Sequence, residues 1–199
     1  MTTQPINVIL LGDPAAGKAT QSELLVKKYG FYDLDMGKIL RNLNEQGGEV
    51  SERLKATLDK GKLTPTDIVR EIHKQACYNT PANQGILFDG NPKMLGEAKL
   101  VAKHLKAAHR KDPIVIYLSI PMAETIKRMT ERTEYFAGKF SKRADDNAHA
   151  LKERVKYYRK NISQVVAFFE KIYPFKKVSG LGTVAEVHAR IVDFITNHS

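Results

Sequence analysis

An apolar run, Ile6-Asn7-Val8-Ile9-Leu10-Leu11, breaks into Gly12-Asp13-Pro14-Ala15-Ala16-Gly17-Lys18 and then into helix-forming sequence. Few arrangements constrain a chain more. A buried strand, a Gly-x4-Gly-Lys turn and a helix in that order form a phosphate loop. The chemistry is direct. Backbone N–H groups at the turn and at the helix start point toward anionic oxygens. Glycine lets a phosphate approach the backbone. Lys18 supplies a point charge for the β/γ oxygens of a nucleoside triphosphate. Ala19 follows the lysine, and Thr20 is the first hydroxyl after it. A glycine-containing strand–helix turn with a solvated lysine is the plainer reading, but it does not explain why all four parts occur together.

The rest of the chain alternates in the same way. Residues 16–29 read as a helix stopped by Gly30, and 31–34 as a short strand. Residues 37–46 and 51–60 read as short helices, and 64–79 as a longer one with Thr64 at its cap and Pro65 in its first turn. Strands are expected at 85–90, 113–119 and 175–178, and helices at 96–109, 121–131 and 184–197. Residues 133–142 have weak periodicity and read as a loop. Residues 145–172 form a long amphipathic helix with Leu151, Val155, Tyr158, Ile162, Val165 and Phe169 on one face. Strands alternating with helices mean a parallel sheet covered by helices, with ligands beyond the carboxyl ends of its strands.

Composition narrows the classes. No apolar run approaches the ~20 residues of a membrane span, and the run at 6–11 is too short for a signal peptide. Cys77 is the one cysteine and the six histidines lack metal-ligand spacing, so neither an internal disulfide nor a Cys-rich zinc site is expected. A reducing cytoplasm is the expected location. The net charge of +10 fits either a nucleic-acid surface or the attraction of polyanionic nucleotides. The basic residues are spread along the chain with no basic tail, which favours small polyphosphates.

Asp89 closes the apolar strand Gly85-Ile86-Leu87-Phe88, where a carboxylate serving Mg²⁺ would lie; a turn-forming aspartate before Gly90 is the alternative. With it the sequence resembles the adenylate kinase family of nucleoside monophosphate kinases along nearly its whole length. Residues 12–21 look like the family's GxPGxGKGTQ loop, in which threonine also comes second after the lysine. Asp89-Gly90-Asn91-Pro92-Lys93 is similar to its Asp-Gly-Phe-Pro-Arg signature. Gly61-Lys62-Leu63, the pair Arg128 and Arg132, Arg143-Ala144-Asp145-Asp146-Asn147 with Arg154, and Val178-Ser179-Gly180-Leu181-Gly182 follow in the family's order.

The resemblance implies an α/β, three-layer P-loop fold with a five-stranded parallel sheet. Its core would be 1–34, 65–132 and 145–199, with a helical monophosphate-binding insert at 35–64 and a short lid at 133–144. It implies MgATP as phosphoryl donor and a nucleoside monophosphate as acceptor, with AMP giving two ADP. GMP, a pyrimidine monophosphate, or a nonenzymatic nucleotide- or RNA-binding role are the alternatives. A monomer without nucleic-acid or membrane partners is expected. Lys18, Arg132, Arg143 and Arg154 would be catalytic. Asp13, Pro14, Ala15, Ala16, Gly17, Lys18, Ala19, Thr20, Arg128, Arg132 and Gly182 would hold ATP. Met36, Arg41, Lys62, Leu63, Thr64, Gly90, Lys93, Glu97, Arg143 and Arg154 would hold the monophosphate. Thr20 and Asp89 would serve Mg²⁺ through water.

Departures from the family pattern gather on the acceptor side. Met36 stands in place of threonine, Asn91 of phenylalanine, Lys93 of arginine, and Glu97 of an adenine-reading glutamine. An ionised Glu97 only accepts hydrogen bonds, which suits guanine's N1–H and 2-amino donors. A protonated Glu97 would restore the glutamine pattern. Pairing of Glu97 with Lys93 or Lys99 would leave the base to the backbone.

Overall fold

The computed structural model describes residues 5–58, 65–131, 134–136, 139–141 and 148–199. In chain order its elements are β1 (Asn7–Gly12), α1 (Lys18–Tyr29), β2 (Tyr32–Asp35), α2 (Met36–Glu45), α3 (Gly48–Leu58), α4 (Thr66–Asn79), β3 (Ile86–Asp89) and α5 (Leu95–Ala107). There follow β4 (Pro113–Ser119), α6 (Met122–Glu131), β5 (Glu134–Phe136), β6 (Lys139–Ser141), α7 (Ala148–Phe169), β7 (Phe175–Ser179) and α8 (Val184–Thr196).

Five strands form one sheet in the order β2-β3-β1-β4-β7, every pair parallel. The continuous apolar runs of β1, β3 and β4 are explained by burial on both faces, whereas the edge strands β2 and β7 are polar and partly exposed. Val8 and Leu10 of β1 point into a cluster completed by Leu25 of α1 and by Val187, Ile191 and Ile195 of α8. Ile9 and Leu11 point the other way, toward Ala76 and Cys77 of α4, Val101 and Leu105 of α5, and Ile162, Val165 and Phe169 of α7. Helix, sheet and helix are thus the three layers. The α7 stripe is the predicted one, with Leu151, Val155, Ile162, Val165 and Phe169 all buried.

Helix ends follow local chemistry. Gly30 takes the left-handed conformation that stops α1, and its N–H reaches Val26 O. Thr183 and Glu186 form a reciprocal cap that starts α8. Residues 134–136 and 139–141, expected within a loop, form a short antiparallel pair. Three-residue strands are too brief for alternation to reveal them. Thr64 and the Asp145-Asp146 start expected for α7 lie outside the described residues.

Because the strands are parallel, their carboxyl ends, Gly12, Asp35, Asp89, Ser119 and Ser179, share one edge of the sheet. That edge carries the candidate site.

Candidate active site

The loop between β1 and α1 is shaped by close packing. A Cβ on Gly12 would lie 2.5 Å from the carbonyl oxygen of Leu118, so β1 and β4 permit only glycine there. Asp13 N–H continues the ladder to Leu118 O at 2.8 Å. Gly17, in the left-handed region, precedes α1 and provides no side-chain cap. The first amides of α1 are therefore left for an anion. Lys18 folds back over the loop, its Nζ donating to Gly12 O at 2.8 Å and Asp13 O at 2.9 Å. Thr20 is exposed on the first turn of α1, next to Ala19.

The Asp13 carboxylate faces inward. It is 1% exposed and accepts from Tyr117 Oη, the Ile120 N–H and Arg159 Nε, each at 2.9 Å. What Asp13 presents to a ligand is its backbone. Arg128 spans the β1–α1 loop and the loop after β7. Its Nε binds Glu124 at 2.6 Å, and its Nη1 approaches Ala15 O and Gly180 O at 3.4 and 3.5 Å. Gly182 lies in the loop before α8, with φ 103°. Arg190 holds that loop through Ser179 O and Leu181 O.

On the other flank, β2 and β3 end side by side, with Asp35 in register with Asp89. Burial above all, helped by the Asp35 and Asp33 charges, pushes the Asp89 carboxyl up to about 6 against the opposing pull of Ser22 and Lys18. Gly90, with φ 67°, turns the chain beneath the lysine: its would-be Cβ lies 3.7 Å from Lys18 Cε. Asp35 caps α2 by accepting from Lys38 N–H at 2.9 Å. Met36 is buried at the start of that helix, and the Arg41 guanidinium lies against Gly37 near the Asp35 carboxylate.

Lys93 remains in contact with solvent, yet the protein packed round it draws its ammonium below the usual lysine range. Arg154 on α7 adds to that effect, while Glu97, Asp89 and Asp35 oppose it. Glu97 is buried and its Oε2 accepts the N–H groups of Lys93 and Met94 at 3.0 and 3.3 Å. The carboxylate thus caps α5.

The structure therefore gathers Lys18, Gly90, Asp89, Lys93, Glu97 and Arg154 on one edge, with Arg128 and Gly182 on the other side of the β1–α1 loop. Arg132, Arg143, Lys62, Leu63 and Thr64 lie outside the described residues. Tyr158 and Arg159 also touch the loop, Tyr158 Oη donating to Gly12 O at 2.8 Å. Sequence periodicity assigns Tyr158 to the apolar face of its helix and offers no signal for Arg159.

Among the described residues, no group of three His, Cys, Asp or Glu side chains could cage a metal ion. The oxygen donors nevertheless suit a magnesium ion that arrives with phosphates. Burial, with the neighbouring carboxylates adding to it, raises the Asp89 pKa, a cost that a dication beside it would relieve, and Thr20 offers an exposed hydroxyl. Also among the described residues, no helix is long and apolar enough to cross a membrane.

A lysine-bearing turn between β1 and α1, open on the carboxyl edge of a parallel sheet, places this chain among the P-loop phosphotransferases. The comparisons with known proteins make the class specific. The family model for adenylate kinase matches residues 10–173. The adenylate kinase of Thermus thermophilus is 32% identical over 184 residues, covering 92% of this chain and 94% of its own. That of Bacteroides thetaiotaomicron is 29% identical over 190 residues, covering 96% and 98%. That of Porphyromonas gingivalis is 30% identical, covering 96% and 95%. The chain belongs to the adenylate kinase family, and is a nucleoside monophosphate kinase by class.

Proposed function

We propose that this protein transfers the γ-phosphoryl group of MgATP to AMP, giving two molecules of ADP. The observation that carries the reading is the position of Lys18, which arises from the donor loop and passes over Gly90 beside Asp89. One cation then serves both sides of the transfer. The loop amides hold the donor phosphates, and Lys18 leaves its resting carbonyls to follow the charge as the phosphoryl group moves. Arg128 and the Gly182 loop border the donor base. Met36, Arg41, Gly90, Lys93 and Arg154 border the acceptor, a set to which the sequence adds Lys62, Leu63, Thr64 and Arg143, while Arg132 joins Lys18 in serving the donor phosphates. When bound, Mg²⁺ near Asp89 and Thr20 would screen the phosphates. Positioning and electrostatics carry the transfer, and no covalent intermediate is required. In this proposal 35–64 forms the acceptor-binding insert and 133–144 the lid that excludes water.

Glu97 bears on the choice of acceptor. Its engagement with two backbone amides supports the reading in which the carboxylate is internal and the base is left to other groups. Glu97 is then spent on the start of α5 and does not read the base. A coupled assay with ATP and each of AMP, GMP, CMP and UMP tests this. AMP is expected to give the highest kcat/KM. Glu97→Gln is expected to keep that order, with AMP values within about threefold. A wild type that prefers GMP, with a variant that reverts to AMP, would overturn the reading. Lys18→Ala is expected to lower kcat by about a thousandfold or more while circular dichroism stays native. Full turnover by that folded variant would remove Lys18 from the mechanism.

A further inference from the structure

The Gly12 carbonyl receives two hydrogen bonds, from Lys18 Nζ and from Tyr158 Oη, both at 2.8 Å. A carbonyl oxygen has two lone pairs, so these donors saturate it. The next residue of α7, Arg159, forks between Asp13 Oδ1 and Ile120 O at 2.9 and 2.8 Å. Arg159 and Asp13 are 146 residues apart in the chain. Asp13 is further held by Tyr117 and by the Ile120 amide. The first two residues of the donor loop are thus fastened to α7 and to the end of β4. The same helix carries Arg154, whose charge reaches Lys93 on the acceptor flank.

We propose that Tyr158 and Arg159 are positioning residues: they hold Gly12 and Asp13 in place while Lys18 leaves them for the transferring phosphate, and they fix the donor loop relative to the acceptor-side cation carried by α7. The inference rests on Lys18 serving the donor phosphates, and not on which monophosphate accepts.

When Lys18 moves to reach a phosphate, its two resting carbonyls lose a donor. Gly12 O then keeps one partner, the Tyr158 phenol, and the loop does not have to shift to satisfy that oxygen. Burial and the nearby Asp13 charge push the phenol above its ordinary pKa, so it stays a donor throughout the neutral range. Arg159 prevents the Asp13 end from following the lysine, because its planar fork joins two separate backbone segments. Neither residue needs to touch a nucleotide. Their removal therefore affects the alignment of the transfer more than the binding of either substrate.

The experiment compares Tyr158→Phe, Arg159→Lys and the paired change Asp13→Asn with Arg159→Gln, which removes both charges together and leaves no buried carboxylate unpaired. kcat, both KM values, the ATP dissociation constant and the melting temperature are measured for each. Tyr158→Phe is expected to lose at least fivefold in kcat, with ATP affinity within threefold of wild type. Arg159→Lys, which keeps the charge and loses the fork, is expected to lose kcat as well. Adding millimolar guanidinium to Arg159→Ala is expected to restore part of its kcat and to leave Tyr158→Phe unchanged. The paired variant is expected to melt near wild type with reduced kcat. A kcat loss under fivefold in Tyr158→Phe overturns the proposal, as does a loss matched by weaker ATP binding. Inactivity of the wild type with every monophosphate, while ATP still binds, would instead refute the functional reading beneath it.

Discussion

Ala15 occupies the left-handed region, with φ 58°, in the middle of the phosphate loop. A side chain there costs roughly 1–2 kcal/mol relative to glycine, because the Cβ crowds the adjacent carbonyl. Ala15→Gly removes that cost while returning some entropy to the unfolded chain. The expected net gain is about 0.5–1 kcal/mol, or a rise of roughly 1–4 °C in Tm for a chain of this size, read by thermal denaturation. A lowered Tm would show that the loop's neighbours already accommodate the methyl. The strain at Ala15 does not show in the residue string, since alanine is ordinary anywhere else. Lys18 was legible because its role depends on local order: strand, turn, lysine, helix. The use of the Asp13 carboxylate was not, because its three partners, Tyr117, Ile120 and Arg159, come from distant parts of the chain.

Helix α4 shows how far pattern carries and where it stops. Its inner face, His73, Ala76 and Cys77, is spaced for a helix lying on the sheet, and all three are buried. That much follows from periodicity. Its C-terminus does not. Arg110, from beyond α5, donates to Cys77 O at 2.7 Å, to Gln84 O at 3.0 Å and to Thr80 O. A guanidinium at a helix end satisfies the last carbonyls and complements the dipole. The partners lie 26 to 33 residues away, beyond any local signal. Arg110→Ala is expected to cost roughly 2–3 kcal/mol, since several part-buried carbonyls lose a charged donor at once. Cys77 reports the same event. Burial pushes its thiol up to about 12, against the weaker pull of Arg110, so a thiol-specific chromogenic disulfide should leave the native protein unlabelled over an hour. In Arg110→Ala the labelling rate should rise at least tenfold. Wild-type labelling at the rate of an exposed thiol would contradict the packing of α4. The two-stranded pair β5–β6 is the opposite case, an element that forms without a periodicity long enough to detect.

At the scale of the whole molecule, two ionisable groups on either side of β3's end set opposing pH dependences. His73 is fully buried, packs against Phe88 with ring centroids 6.1 Å apart, and neither of its ring nitrogens has a hydrogen-bond partner among the described residues. Burial, with the His104 charge adding to it, draws its pKa from the ordinary 6.5 to about 4. Between those values the unfolded chain binds more protons than the native one. Stability from this group is therefore full above pH 6.5 and is lost as pH falls toward 4. Asp89 behaves in the reverse sense, with a native value of about 6 against an ordinary 3.8. Between 3.8 and 6 the native state holds the extra proton, so stability from this group falls as pH rises. Each shift corresponds to about 3 kcal/mol, and across pH 4–6 the two slopes nearly cancel. Single substitutions should expose them. Relative to wild type, His73→Leu should lose stability by roughly 2 kcal/mol from pH 4 to 6, since part of each shift lies outside that window, and Asp89→Asn should gain about as much over the same range. Urea melts at pH 4, 5 and 6 measure both. Curves for both variants that run parallel to wild type would mean that neither group titrates differently in the folded protein. Divergence in the stated directions would place an uncharged histidine in the core and a carboxylate held ready for a cation at the sheet edge.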